Sequence, residues 1–188
     1  MLMIFDLTIS NKFSSSQKKL IRGAWDLMAN RISAMESDQD QTADFNECMF
    51  SNTQRNQSFD GDYLPWWAAT RISGTGLPGN KGVSINHKND PDLFWWGSAP
   101  IGLKSGEVRF TVNAAKMNSN SDSRRWATVF FHEILHNMGF NHPKTGGGYE
   151  DDYKYTQIEA AENCLFDTSF DFDAGFFFVG SSLIADEG

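Results

Sequence analysis

Three of the chain's four histidines, His132, His136 and His142, fall within the stretch "FHEILHNMGFNH". On a helix, residues four apart project from one face about one turn apart, so His132 and His136 can offer imidazole nitrogens to a single ion. Zinc binds histidine nitrogen at about 2.0–2.1 Å and favours a tetrahedral shell, so a third ligand has to come from elsewhere. Gly139 supplies the means. A glycine just past a helix takes the left-handed conformation that ends it and turns the chain back, which lets His142 reach the same metal.

Glu133 stands beside the first histidine. In HExxH sites that carboxylate serves the water in the fourth position and does not bind the metal. Zinc lowers the pKa of such a water to about 7, and Glu133 can remove its proton and later hand it to the leaving amine. Structural zinc sites are usually closed by four protein ligands, whereas three His with an adjacent Glu is a catalytic arrangement. The chemistry expected is hydrolysis of a peptide bond without a covalent enzyme intermediate.

"HEILHNMGFNH" resembles the zinc signature HExxHxxGxxH of the metzincin metallopeptidases at all five defining positions. The resemblance implies His132, His136 and His142 as zinc ligands and Glu133 as general base. It implies an α+β fold with a twisted mixed sheet, two long helices, and a small C-terminal lobe below the zinc cleft. "SGEVRFTVN" resembles the edge strand that metzincins set above the zinc, with 108–113 as the upper rim on which substrate docks as an added strand. Several metzincin groups place a tyrosine near the metal, which makes Tyr149, Tyr153 and Tyr155 candidates by position. Accessory zinc or calcium also occurs in the family, and His87, Asp90 and Asp92 are the candidates for such a site. The chain departs from the family in one respect. No methionine follows Met138, so the turn beneath the zinc uses another residue or the floor of the site differs.

The elements that must position these groups are legible in part. "MIFDLTI" alternates as a half-buried strand. Ser14 and Gln17 have capping-box spacing, and Leu20, Ala24, Leu27, Met28, Ile32 and Met35 follow on one helical face. The polar region 36–62, around Cys48, Met49 and Phe50, reads as a long connection with a short element in it. "YLPWWAATRIS", "GVSINHK" and "GEVRFTVN" have strand composition. Trp126, Val129, Phe130, Ile134 and Met138 recur at helical spacing over 121–138, with Ser or Asp available as a cap. "TQIEAAENCLF" has the length of a short helix in the lower lobe, and "GFFFVG" is apolar enough to pack or pair.

At 188 residues the chain suits a single catalytic domain, with an upper lobe over about 1–142 and a lower lobe over about 143–188. A net charge of -8, with no run of basic residues longer than two, excludes a nucleic-acid footprint. The apolar runs are too short for a membrane span, and "MLMIFDLTIS" has no secretory-signal pattern. A monomeric enzyme acting on protein or peptide outside the producing cell is expected, exported by a route not visible in these residues. Cys48 and Cys164 can form one disulfide or remain buried thiols. "GTGLPGNKG" lacks P-loop spacing and reads as a turn. The Asp171 and Asp173 fragment "DFDAG" is too incomplete for a calcium loop, and Asn56 opens an NxS sequon. The pairs in "PWWAA" and "LFWWG" read as core or cleft wall. The rival from another class is a zinc-containing protein- or glycan-binding module that has lost turnover and holds its partner through those aromatic pairs.

Overall fold

A computed structural model describes residues 7–52, 82–103, 107–141 and 157–167. Within them the chain is a mixed α+β protein with an open sheet of four strands and five helices. Strand β1 (Leu7–Ile9) leads into helix α1 (Ser15–Ser37), and α2 (Gln39–Ser51) follows. Strands β2 (Gly82–Lys88), β3 (Gly97–Ser98) and β4 (Glu107–Asn113) then precede α3 (Ala114–Ser119), α4 (Ser123–Met138) and α5 (Gln157–Cys164). The sheet order is β1-β2-β4-β3, with β1, β2 and β4 parallel and β3 antiparallel on β4.

Helix α1 begins as its sequence predicts. Ser14 Oγ accepts from the Gln17 amide at 3.2 Å, and Gln17 Oε1 accepts from the Ser14 amide at 2.9 Å, so two amides that the helix leaves unsatisfied are paired reciprocally. The buried stripe differs from the expected one. Ile21, Ala24, Trp25, Met28, Ile32 and Met35 face the core, while Leu27 is 39% exposed and Leu20 only partly covered. Ile21 and Trp25 carry more apolar area than Leu20 and Leu27, and the helix rotates to bury the larger pair.

Two further expectations are corrected. The polar region after α1 contains a full helix, α2, capped by the Asp38 carboxylate on the amides of Asp40 and Gln41. Among its described side chains the buried apolar stripe is narrow, formed by Phe45, Cys48 and Met49. Such a stripe suffices because the other faces meet water. The second correction concerns 108–113, expected as the rim. Strand β4 pairs with β2 on one side and β3 on the other, so it is interior, with Val108, Phe110 and Val112 buried. The antiparallel edge is instead β3, inside the segment with Trp95 and Trp96.

Helix α4 is central. From Trp126 to Asn137 every residue but Thr128 is buried, because the helix packs against α1, β4, β3 and α5. Met138, expected on the apolar face, is only partly covered. Helix α5, expected in the lower lobe, joins the same core through Ile158, Ala161, Cys164 and Leu165. Cys164 is disulfide-bonded to Cys48 of α2, with Cα atoms 5.9 Å apart. "YLPWWAATRIS", "GFFFVG", Asn56, Asp171 and Asp173 lie outside the described residues. Among the described residues no helix is long and apolar enough to cross a membrane.

The disulfide joins positions 116 residues apart, so most of its effect is to restrict the unfolded chain. Replacing both cysteines, Cys48→Ala with Cys164→Ala, is expected to lower stability by about 2–5 kcal/mol. Equilibrium urea unfolding measures this, and an unchanged midpoint would contradict it.

Candidate metal centre

The centre is built on the last two turns of α4. Asp122 caps the start of this helix, its carboxylate accepting from the Arg124 amide at 2.9 Å. Gly139 ends it with φ 105°, its amide bonded to the carbonyls of His136 and Leu135, and the Phe140 amide bonds to Leu135 O at 3.1 Å. That left-handed residue is the one expected from the sequence, and it does two things. It ends the helix, and it brings the Phe140 carbonyl to His136 Nδ1 at 2.9 Å.

His132 and His136 are both fully buried and converge, with their Nε2 atoms 3.1 Å apart. The outer nitrogens fix what those inner atoms can be. A backbone carbonyl only accepts, so His136 Nδ1 carries a proton. His132 Nδ1 lies 3.2 Å from Glu162 Oε2, an ionised carboxylate that likewise accepts. The two Nε2 atoms point into one space, where a shared proton or a metal ion can join them. Two tetrahedral ligands at zinc lie about 3.3 Å apart when each bond is about 2.0–2.1 Å, close to the separation here. The pair therefore fits a metal, and both histidines carry the outer hydrogen bonds typical of metal-ligating imidazoles.

Glu162 comes from α5, where it shares a face with Ile158, Ala161 and Leu165. Its Oε1 accepts from Arg125 Nη1 at 3.0 Å and Thr128 Oγ1 at 3.4 Å. Burial pushes this carboxyl up, but the Arg125 charge and the hydrogen bonds from His132 and the Thr128 hydroxyl together hold it below its ordinary range. Arg125 also lies over the Trp96 ring, 5.1 Å from its centroid.

Glu133 is fully buried and packs against β3 at Gly97. A Cβ on Gly97 would sit 3.0 Å from Glu133 Cδ and closer still to Oε1, so only glycine lets the edge strand approach the carboxylate. Two buried asparagines hold that edge segment in place. Asn113 accepts from the Asp90 amide at 3.2 Å and donates to the carbonyls of Asp90 at 2.8 Å and Trp95 at 3.3 Å. Asn137 accepts from the Arg109 amide at 2.7 Å and donates to the carbonyls of Arg109 at 3.1 Å and Pro100 at 3.0 Å. The amides of Gly102 and Leu103 bond in turn to the carbonyls of His136 and Asn137.

The structure thus brings together His132, His136 and Glu133 on one buried helix end. His142, Tyr149, Tyr153 and Tyr155 lie outside the described residues. Among the described residues no three His, Cys, Asp or Glu side chains form a group able to hold a metal. His87 meets Phe13 edge-on at 4.7 Å, and Asp90 lies 3.7 Å from Lys88 Nζ. Sequence reading missed Glu162, Gly97, Asn113 and Asn137. Glu162 had a signal, a carboxylate placed among the core positions Ile158, Ala161 and Leu165. No protein-family model, curated protein or solved structure matches the chain.

Asn137→Ala removes the partner of one amide and two carbonyls at a buried site. A loss of about 2–4 kcal/mol is expected, since each buried group left unsatisfied costs about 1–3 kcal/mol and the site relaxes in part. Urea unfolding of the variant reads it, and a wild-type midpoint would show that this clamp does not hold the edge segment.

Proposed function

We propose that this chain is a zinc-dependent endopeptidase of metzincin type. The observation that carries the reading is the buried pair of imidazoles whose Nε2 atoms meet at 3.1 Å with both Nδ1 atoms engaged elsewhere. His132 and His136, with His142 as the third ligand, would hold the ion. Bound zinc supplies Lewis acidity, which polarises a scissile carbonyl and acidifies water.

The chain's own residues supply the rest. Glu133 takes a proton from the attacking water as its oxygen bonds to the carbonyl carbon, and delivers that proton to the amine nitrogen as the C–N bond breaks. Burial beside Gly97 holds the carboxylate against the sheet edge. Strand β3 is an antiparallel edge, and the exposed side chains of Phe94 and Ile101 flank it. An extended peptide can add to such an edge as a further strand, which supports protein or peptide as the substrate.

Cleavage of a diverse peptide library with zinc determined on the same samples tests the reading. Wild type is expected to cut and to carry one zinc per chain, while Glu133→Gln keeps the zinc and cuts at least about 100-fold more slowly. Gly97→Ala is expected to slow cleavage by about 100-fold with zinc retained, because the added Cβ displaces the carboxylate. Zinc without cleavage of any peptide would favour the binding module, and absence of zinc from the wild type would end the proposal.

A further inference from the structure

Glu162 is a carboxylate that the hydrolytic chemistry does not use, yet it is fully buried at the back of the site. Leaving a buried charge unpaired costs several kcal/mol, so a side chain of this kind persists only where its neighbours compensate it. Each of its oxygens has a distinct task. Oε1 faces Arg125 and Thr128, and Oε2 faces His132 Nδ1. Arg125, Thr128 and His132 sit at helical spacing on one stripe of α4, and α5 lays Glu162 along it.

We propose that Glu162 is the positioning residue of the metal centre, fixed by Arg125 and Thr128 so that it holds His132 with Nδ1 as donor and Nε2 aimed at the ion. The inference rests on the zinc reading above. His136 is oriented by its own chain, through the Phe140 carbonyl. His132 is held at Nδ1 by Glu162, from a helix 30 residues further on. The plain alternative is a buried ion pair that joins α4 to α5 and does nothing for the metal.

The two differ in zinc affinity. Purified full-length protein, stripped of metal, is titrated with zinc against a chromophoric chelator, under conditions in which circular dichroism shows each variant fully folded. Glu162→Ala is expected to bind zinc about 10–100-fold more weakly than wild type, the usual consequence of losing an outer partner of a ligating histidine. Glu162→Gln keeps the shape and an acceptor for Nδ1 but loses the charge, and should recover part of that loss. Should Glu162→Ala fail to fold, Glu162→Gln decides alone, with affinity measurably below wild type. Wild-type affinity in the folded variants overturns the positioning role and leaves the zinc reading intact. A wild-type protein that binds no zinc removes both.

Discussion

Two imidazoles forced together inside a protein set the terms for everything around them. His132 and His136 present Nε2 atoms 3.1 Å apart with no water-exposed surface, and each has its Nδ1 proton committed to an acceptor. At that distance the two nitrogens can share a proton or be joined by a metal ion, which turns their close approach into a bond. Helix α4 must be buried on nearly every side to create this setting, and so α1, α5 and two strands pack around it. The carboxylate on one side and the carbonyl on the other are the means by which the fold aims the two rings.

Around that pair the structure is arranged to limit movement. Asn113 and Asn137 tie the segment containing β3 to β4, and the backbone of 102–103 is bonded to the last carbonyls of α4. The edge strand and Glu133 are therefore held by the same helix that holds the histidines. On the opposite side, Cys164 stands two residues after Glu162, so the bond that joins α5 to α2 also anchors the carboxylate behind His132. Arg125 spans the two regions, paired with Glu162 and stacked on Trp96 beside Gly97.

The parts legible in the sequence are those governed by local rules. The capping box at Ser14, the period-two alternation of Val108, Phe110 and Val112, and the glycine that must end α4 all depend on residues close in the chain. The features missed depend on partners distant in sequence. Strand composition marked 107–113 but could not reveal that both of its edges are occupied, and the short β3 carries almost no periodic signal. Helix α2 was obscured because, among its described side chains, Phe45, Cys48 and Met49 alone make the buried apolar stripe. The roles of Asn137 and Glu162 are tertiary hydrogen bonds, to Arg109 and His132 respectively, and no spacing rule announces them.

The measurement that bears most directly on the account is X-ray absorption at the zinc edge on protein loaded with one equivalent of zinc. Three imidazole nitrogens at about 2.0–2.1 Å, with a further light atom completing the shell, are the predicted environment. Loss of one imidazole from that shell in His142→Ala would identify the third ligand. A sulfur shell, a fully hydrated ion or a protein that retains no zinc would contradict the central claim.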